Sequence, residues 1–453
     1  MNVDSSYDKP VTVGFISLGC AKNLVDSQVM AGIILSEQIK LAPSPEEADV
    51  VIVNTCAFIE EARNESYEMI ESACALKRDG QCRAVIVAGC LPQRYRHEIS
   101  SRLPDVDAFI GLDELEDIGS IIRRVAHGER GVFEVSRNAH RLYEPRMPGL
   151  TFTGGPYAYL KIAEGCDHRC SFCAIPSIRG SYRSRPMDLI LKEAESLLAR
   201  GVKELNLISQ DVTRYGKDLG DGTDLPALIR KLAGLGGTFW IRLLYGHPAG
   251  VTDGLLSAMA ETEKVCHYLD IPIQHSHPHI LRAMSRRDTI DQVAGMAGRI
   301  RNFMPDTTLR TTCLIGFPGE TDVHFAHLVE LVKQVEFDHL GAFVYSPEEN
   351  TPSFAMPDRP DVRVADERRN QLLAVQREIV DKKAAALIGK EAEVLLEKKA
   401  PGNNMWISRA KRNAPEVDGV VFAERLTGHG KPGDFVKVRY TAQDEYDMTA
   451  VEI

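Results

Sequence analysis

Three cysteines lie close together near the middle of the chain. Cys166, Cys170 and Cys173 form a Cys-x3-Cys-x2-Cys pattern. Three thiolates on one loop can bind three irons of a 4Fe–4S cluster, and the fourth iron then stays open for another ligand. The alternative is zinc with His168 as fourth ligand, although closed zinc sites usually use two ligand pairs and no second pair follows here. The spacing therefore favours a cluster with an open iron, and these cysteines are the candidate catalytic residues.

Three further cysteines are far apart in the sequence but occupy similar positions relative to predicted strands. Cys20, Cys56 and Cys90 each come at most a few residues after a strand, and Gly19 and Gly89 permit tight turns there. The carboxyl ends of neighbouring parallel strands form a crevice, so the three thiols converge if their strands are neighbours. Buried cysteines also occur as ordinary core residues. Three at equivalent strand ends favour a second three-cysteine metal site over that alternative.

Strands and helices alternate around this second set of cysteines. Short β-branched runs alternate with amphipathic stretches, which predicts a parallel α/β sheet with helices on its faces. The predicted strands are 11–18, 49–53, 84–88 and 107–110, and the predicted helices are 23–38, 58–77, one from about residue 93, and 114–126. This N-terminal domain is expected to span residues 1–137, and a linker rich in proline and glycine follows over residues 138–156.

The alternation resumes over residues 157–387. Strands are predicted to begin near Ala158, Lys203, Phe239, His267, Thr308 and His339, and a charged helix is predicted over 362–387. Six βα units in succession predict a barrel or an open partial barrel, a fold that places its chemistry at the carboxyl ends of the strands. Residues 388–453 change to short β-type runs separated by turn residues, which predicts a small antiparallel β-barrel.

Composition limits the class of protein. Hydrophobic residues make up 44% of the chain and charged residues 26%, which is typical of a soluble globular protein. Polar residues interrupt the longest apolar runs, and the segment Met1–Pro10 lacks a signal-peptide core. We therefore expect a cytoplasmic protein without a membrane partner, in which the ten cysteines stay reduced. The net charge of −10 favours a basic protein partner over nucleic acid.

The segment from Ala163 to Cys173 (AEGCDHRCSFC) closely resembles the signature of the radical-SAM superfamily. The resemblance implies that the open iron binds S-adenosylmethionine (SAM), whose cleavage gives a radical that removes a hydrogen atom from carbon. It also implies that strand ends line a SAM pocket. The cofactor-binding candidates are Gln210, Asp211, Arg242, Gln274, Gly316 and Gly319. The two glycines would let the backbone approach the cofactor closely, whereas the polar candidates could instead fill the barrel interior.

Nearly the whole chain is similar to the methylthiotransferase family, which has an N-terminal cluster domain, a radical-SAM domain and a C-terminal TRAM barrel. The segments 17–27 (SLGCAKNLVDS) and 270–275 (DIPIQH) look like its RimO-type branch. The resemblance implies methylthiolation of the β-carbon of an aspartate in small-subunit ribosomal protein twelve. It implies two 4Fe–4S clusters, one of them at Cys20, Cys56 and Cys90. It further implies SAM as both methyl donor and radical source, and an electron donor such as flavodoxin or ferredoxin.

Several alternatives stay open from the sequence alone. The same chemistry could act on an anticodon-loop adenosine of tRNA, or the chain could be a non-catalytic iron–sulfur electron carrier. The segment 179–185 (RGSYRSR) could face the substrate or the SAM carboxylate, or form a solvated basic loop. His275, His277 and His279 could bind a metal, although a turn is favoured. Aromatic residues of the C-terminal barrel are expected in its core rather than on a nucleic-acid stacking face.

Overall fold

The computed structural model describes residues 11–142, 147, 150–286, 290–401, 404–426 and 429–453. The chain folds as two compact units: the first comprises residues 1–152, 164–168 and 173–183, and the second comprises residues 153–163, 169–172 and 184–453. The segment Met1–Pro10, interpreted above as lacking a signal-peptide core, lies outside the described residues, as does part of the predicted linker. The described residues of 138–156 form neither helix nor strand. The domain boundaries at residues 137, 156 and 387 stay predictions.

The first unit contains the predicted parallel sheet. Six strands lie in the order β2-β1-β3-β4-β5-β6, and every neighbouring pair is parallel. The strands are β1 (Thr12–Ser17), β2 (Lys40–Leu41), β3 (Val50–Thr55), β4 (Ala84–Gly89), β5 (Ala108–Ile110) and β6 (Val132–Glu134). The helices are α1 (Ala21–Ser36), α2 (Glu60–Arg78), α3 (Cys90–Arg94), α4 (Ile99–Arg102) and α5 (Ile118–Ala126). The prediction missed β2 and β6, which are too short to show a hydrophobic period.

The central strands show why this sheet forms. Every residue of β3 (VVIVNT) and β4 (AVIVAG) is buried. Continuous β-branched runs buried on both faces are typical of parallel sheets covered by helices. Helix α3 begins at Cys90, earlier than the predicted start near residue 93. The reason is that Gly89 takes a φ of +94°, which turns the end of β4 directly into the helix.

Residues 157–387 contain the second parallel sheet. Its order is β14-β13-β12-β11-β10-β7, and all pairs are parallel. The strands are β7 (Tyr157–Lys161), the two short strands β8 (Ala163–Glu164) and β9 (Arg183–Ser184) outside this sheet, β10 (Glu204–Ile208), β11 (Trp240–Leu243), β12 (Val265–Asp270), β13 (Thr308–Ile315) and β14 (His339–Val344). The order of the described strands leaves β7 and β14 as edges. The predicted partial barrel is therefore the open form.

Helices follow the strands of this second sheet as the βα pattern predicted. They are α6 (Ile175–Arg179), α7 (Met187–Ala199), α8 (Leu225–Ala233), α9 (Asp253–Ala260), α10 (Pro278–Ala283), α11 (Ile290–Phe303), α12 (Asp322–Val335) and α13 (Val362–Ala385). The sheet and its helices enclose a hydrophobic core in the second unit. Among the described residues, no helix has both the length and the apolar character that a membrane span requires.

The C-terminal segment forms the predicted small β-barrel. Its strands are β15 (Glu391–Lys399), β16 (Met405–Ala410), β17 (Val421–Glu424), β18 (Phe435–Asp444) and β19 (Asp447–Glu452), and they close in the order β15-β16-β17-β19-β18. The sequence pattern did not indicate β19. The pair β17–β19 is parallel and the other four pairs are antiparallel. A closed ring with an odd number of strands cannot alternate direction throughout, so at least one parallel pair is required.

Candidate metal centre

Cys20, Cys56 and Cys90 lie at one edge of the sheet in the first unit. Strands β1, β3 and β4 are adjacent and parallel, so their carboxyl ends meet at the same edge. Cys20 immediately precedes α1, Cys56 directly follows β3, and Cys90 is the first residue of α3. The sequence indicated equivalent strand ends for the three cysteines, and the strand order makes those ends neighbours.

Close contacts at two glycines show that the three loops converge. A Cβ atom on Gly19 would lie 2.7 Å from Cys56 Cβ and 3.1 Å from Cys56 Sγ, so a larger residue has no room beside that thiol. A Cβ atom on Gly89 would overlap Asn54 Oδ1. Gly19 and Gly89 also have φ values of +87° and +94°, which L side chains rarely adopt. Both loops therefore depend on glycine immediately before the cysteine.

The three thiols influence one another's ionisation. Burial raises the pKa of Cys90 to about 12, with Arg179 opposing the rise and Cys56 and Cys20 adding to it. Burial also raises the pKa of Cys56, and Cys20 adds to that rise. For Cys20, loss of water around the thiol is outweighed by the charges of Lys22 and Arg179 together with the backbone N–H groups of Asn23 and Lys22, and the pKa is lowered. A cationic metal core relieves repulsion between thiolates, so this donor set fits an iron–sulfur cluster.

The side chain of Asn23 links the three cysteine loops. Its Nδ2 donates to the carbonyl oxygens of Leu18 at 3.1 Å and Thr55 at 2.8 Å, which lie on the loops before Cys20 and Cys56. Its Oδ1 accepts a hydrogen bond from the Cys90 thiol, with Sγ at 3.6 Å. Asn23 is buried, and buried hydrogen bonds of this kind hold groups in one arrangement. The spacing of the three cysteines is thus set by protein contacts.

A second layer of hydrogen bonds supports the same loops. Asn54 Nδ2 donates to the carbonyl oxygen of Asn23 at 2.8 Å and to Ser27 Oγ at 2.9 Å. Ser66 Oγ accepts the backbone N–H of Cys56 at 3.1 Å and donates to the Cys56 carbonyl at 2.8 Å. These bonds tie α1 and α2 to the loop after β3. The helices therefore hold the cysteine loop in place.

Arg179 brings a positive charge to these cysteines. Its Nη2 lies 2.5 Å from Asn23 Oδ1, 2.9 Å from Asp26 Oδ2 and 3.5 Å from Cys90 Sγ. Its Nη1 lies 3.0 Å from Glu164 Oε1. The side chain is only 2% exposed. Since arginine stays protonated in proteins, Arg179 offsets part of the negative charge that the ionised thiols bring.

The Cys-x3-Cys-x2-Cys segment is divided between the two units. Cys166 and Cys173 lie in the first unit and Cys170 lies in the second, and all three residues are half-buried. In the first unit, the backbone N–H of Cys166 donates to the carbonyl oxygen of Gly180 at 3.0 Å. Gly165 has a φ of +78°, and a Cβ there would overlap the carbonyl oxygen of residue 181. Glycine again immediately precedes the first cysteine of the site.

In the second unit, the residue after Cys170 is fixed by three hydrogen bonds. Ser171 donates its N–H to the carbonyl oxygen of Met284 at 3.0 Å and its Oγ to that of Ala283 at 2.8 Å. The carbonyl oxygen of Ser171 accepts the N–H of Ser353 at 2.9 Å. Cys170 is therefore held by the second unit through its neighbour.

Five of the six predicted SAM-pocket residues follow strand ends in the second unit. Gln210 and Asp211 follow β10, Gln274 follows β12, and Gly316 and Gly319 follow β13. The carboxyl ends of these parallel strands lie at one edge of the sheet, where such folds place their chemistry. Gln274 has a φ of +67°, which is uncommon outside glycine. Binding of SAM by these five residues stays a prediction.

Two of these positions shape the turns in which they lie. Asp211 Oδ1 accepts the backbone N–H of Thr213 at 3.0 Å. The N–H of Gly316 donates to Glu320 Oε2 at 2.9 Å, and Glu320 Oε1 pairs with Arg368 Nη1 at 2.8 Å. The turns after β10 and β13 are thus fixed by their own side chains.

Arg242, the sixth predicted residue, has a different environment. Its Nε lies 2.7 Å from Glu204 Oε1 inside the sheet, and its Nη1 donates to the carbonyl oxygen of Lys411 at 2.7 Å. Glu204 also pairs with Arg409 of β16, at 2.6 Å. These contacts join β10 and β11 of the second sheet to the C-terminal barrel. Binding of SAM by Arg242 stays a prediction, as it does for the other five residues.

His275, His277 and His279 form the turn that begins α10. Backbone N–H groups donate to imidazole nitrogens in succession: His277 to His275 Nδ1 at 3.0 Å, and His279 to His277 Nδ1 at 3.2 Å. The ring of His277 also lies 4.3 Å from that of His324. Burial, together with the positive charge that neighbouring imidazoles would carry, lowers the pKa of His277 to about 4. At neutral pH the ring of His277 is therefore uncharged.

The sequence interpretation missed three residues beside the N-terminal cysteines. Asn23 and Asp26 received no role, and Arg179 was considered only for the substrate, for SAM or for solvent. Arg179 is instead buried beside Cys90. Helical spacing was an available signal, because Asn23 and Asp26 are three residues apart and so share a face of α1 just after Cys20.

Models of three protein families match successive parts of the chain. Uncharacterized protein family UPF0004 matches residues 12–111, the Radical SAM superfamily matches residues 160–332, and the TRAM domain matches residues 388–453. The ribosomal protein uS12 methylthiotransferase RimO of Geotalea uraniireducens is 44% identical, over 96% of this chain and 97% of that protein. The RimO of Trichlorobacter lovleyi is 42% identical, over 97% of each chain. This chain belongs to the RimO family. It is therefore a radical-SAM methylthiotransferase, which rules out the non-catalytic electron carrier.

Solved structures share the fold of this RimO-family chain. The radical SAM methyltransferase TsrM from Kitasatospora setae, solved with cobalamin and a [4Fe-4S] cluster, matches with a TM-score of 0.57 and covers 76% of this chain and 74% of its own. The cobalamin-dependent SAM radical enzyme OxsB matches with a TM-score of 0.54 and covers 83% of this chain and 56% of its own. Both are 12% identical, so they show the fold alone.

Proposed function

We propose that this RimO-family chain adds a methylthio group to the β-carbon of an aspartate in ribosomal protein uS12. Two of its relatives are named for methylthiolation of that protein, and the match covers 97% of the length of each. The observation that carries the chemistry is the convergence of Cys20, Cys56 and Cys90 beside Arg179. A second site of soft sulfur donors gives the enzyme a place, apart from the SAM-cleaving loop, for the sulfur that it transfers.

Two 4Fe–4S clusters and SAM are the proposed cofactors. Cys166, Cys170 and Cys173 would hold the cluster at which SAM binds, and Cys20, Cys56 and Cys90 would hold an auxiliary cluster. When bound, these groups supply the methyl group, the radical and the sulfur. The proposed SAM contacts are Gln210, Asp211, Gln274, Gly316 and Gly319. The proposed electron donor is a small redox protein such as flavodoxin or ferredoxin.

The protein's own residues hold the auxiliary site in its binding geometry. Asn23 ties together the loops before Cys20 and Cys56. Burial keeps Cys90 protonated without a metal, so cluster binding releases that proton.

Charge and burial favour a protein substrate over tRNA. The net charge of −10 opposes a phosphate backbone and suits a basic ribosomal protein. In the C-terminal barrel, Trp406 is 5% exposed and Tyr440 is 3% exposed, so neither can stack on a base. Phe435 packs against Trp240 of β11, with ring centroids 5.0 Å apart. These three aromatic side chains are packing residues.

The test offers both substrates to the enzyme. The chain is reconstituted anaerobically with iron and sulfide, given SAM and a reductant, and incubated separately with uS12 and with total tRNA. Mass spectrometry should find one added methylthio group on an aspartate of uS12 and none on tRNA. A gain on tRNA alone would overturn the substrate, and SAM cleavage without any methylthio product would overturn the proposed reaction. The Cys56→Ala and Cys170→Ala variants serve as negative controls.

A further inference from the structure

Arg179 contacts groups next to both cysteine sites within the first unit. Towards the auxiliary site, its Nη2 reaches Cys90 Sγ at 3.5 Å and Asn23 Oδ1 at 2.5 Å. Towards the SAM-cleaving loop, its Nη1 reaches Glu164 Oε1 at 3.0 Å, and Glu164 lies two residues before Cys166. One rigid, planar guanidinium therefore joins the two sites.

The backbone after Arg179 strengthens the link to the loop. The carbonyl oxygen of Gly180 accepts the N–H of Cys166 at 3.0 Å. Gly180 has a φ of +74°, and a Cβ there would overlap the carbonyl oxygen of Ala139. The backbone at residue 180 thus has little freedom to move. A displacement of Arg179 would be transmitted to Cys166 through both Glu164 and Gly180.

Arg179 contacts more groups than the one carboxylate of a simple ion pair. Asp26 and Glu164 already supply two carboxylates, yet the guanidinium also approaches the Cys90 thiol. A buried charge interacts strongly with its neighbours because little water screens it. A cluster bound by the three cysteines becomes one charge more negative when it accepts an electron. A cation beside Cys90 stabilises that reduced state more than the oxidised state, and the carboxylate of Asp26 does the opposite.

We propose that Arg179 is a positioning residue shared by both cysteine sites and that its charge raises the reduction potential of the auxiliary cluster. The inference rests on the proposed function, since it requires a cluster at Cys20, Cys56 and Cys90. It goes beyond that function by naming the residue that couples the two sites.

The first experiment isolates the auxiliary site in the full-length chain. Cys166, Cys170 and Cys173 are replaced by alanine, iron and sulfide are added, and the midpoint potential is measured by a redox titration followed by EPR. Arg179→Gln should lower the potential and Asp26→Asn should raise it. Each change should alter the ratio of reduced to oxidised cluster at a fixed potential by on the order of tenfold. Arg179→Lys, which keeps the charge, should stay near the parent value.

The second experiment isolates the loop. Cys20, Cys56 and Cys90 are replaced by alanine, and the iron retained against a chelator is measured. Arg179→Gln and Glu164→Ala should both reduce retention, since both remove the same link to Cys166. If Arg179 served only for packing, Arg179→Gln and Asp26→Asn would not shift the potential in opposite directions. Nor would Arg179→Gln and Glu164→Ala cause the same loss of iron from the loop.

The matched control is Arg185→Gln. Arg185 is also buried and pairs with Glu193 at 2.7 Å, but Glu193 and the Lys161 carbonyl that it contacts lie in the second unit. It should leave the potential and the retained iron unchanged. An auxiliary potential insensitive to Arg179→Gln and Asp26→Asn overturns the inference and leaves the proposed function intact. If Arg179→Gln does not fold, Asp26→Asn decides on the same readout. If the chain that lacks Cys166, Cys170 and Cys173 binds no iron, the proposed auxiliary cluster itself is overturned.

Discussion

The two cysteine sites are constructed in opposite ways. Cys166, Cys170 and Cys173 lie on one short segment, whereas Cys20, Cys56 and Cys90 lie on three loops brought together by β1, β3 and β4. The first site can be identified from spacing alone, because the chain cannot separate its thiols far. The second exists only when the sheet has formed in the right strand order. Sequence spacing and fold topology can therefore each bring three thiols together.

Despite this difference, the two sites share a local feature. Glycine with a positive φ immediately precedes Cys20, Cys90 and Cys166. In each case a Cβ atom would overlap a neighbouring group or press against it. Such glycines let the backbone turn tightly and leave room for the thiol that follows. Both sites therefore use the same glycine turn before a cysteine. They differ in whether the other two cysteines come from the same segment or from other loops.

The largest expected effect comes from removing one cysteine from each site. Cys56→Ala and Cys170→Ala should each abolish methylthiolation and lower the iron content by about four atoms per chain, since each breaks one cluster. Iron analysis and mass spectrometry of uS12 are the measurements. Cys74→Ala, at a buried cysteine of α2, is the control and should retain full iron. Equal iron in Cys56→Ala and Cys74→Ala would show that the N-terminal cysteines bind no cluster.

A smaller effect is expected from enlarging the glycine before a cysteine. Gly19→Ala forces a Cβ atom to within 2.7 Å of Cys56 Cβ, at a φ of +87°. We expect the auxiliary site to lose iron and the chain to lose about 1–3 kcal/mol of stability. Gly128→Ala is the matched control, because Gly128 has a φ of +96° but open space around it. It should show the backbone strain without the loss of iron, and a similar iron loss in both variants would contradict the role of the close contact.

Asn23→Ala tests whether the dispersed site depends on its linking side chain. The change leaves the carbonyl oxygens of Leu18 and Thr55 without the Asn23 amide, at a cost of about 1–3 kcal/mol. Iron at the auxiliary site should exchange faster with a chelator than it does in the parent chain. Asn206→Ala, at a buried asparagine of β10, is the control. Equal iron exchange in the two variants would remove Asn23 from the site.

The same contrast explains what the sequence could predict. Strand ends and alternating elements were sufficient for both sheets, for the C-terminal barrel and for the placement of Cys20, Cys56 and Cys90 at adjacent strand ends. Cluster binding by the two cysteine sets stays a prediction. Arg179 was not predictable, because its partners Asn23 and Asp26 lie more than 150 positions away in the chain and no local pattern connects them. The partners of Arg242 were equally hidden from periodicity, because Glu204 and the Lys411 carbonyl lie on other elements of the fold. Buried ion pairs depend on tertiary contacts that periodicity does not contain.

A modest difference in acid sensitivity is expected between the site beside Arg179 and the turn that contains His277. Arg179 stays charged throughout, but the pKa of His277 is lowered to about 4 by burial and by its neighbouring histidines. The unfolded chain therefore binds a proton near pH 6.5 that the folded chain resists, so stability is full above that value and falls as the pH drops towards 4. His277→Asn removes the titrating ring while an asparagine can still cap α10. Its thermal midpoint should fall less than that of the parent chain between pH 7 and pH 5, by on the order of 1–2 °C. Identical pH dependence in the two chains would mean that protonation of His277 does not oppose folding.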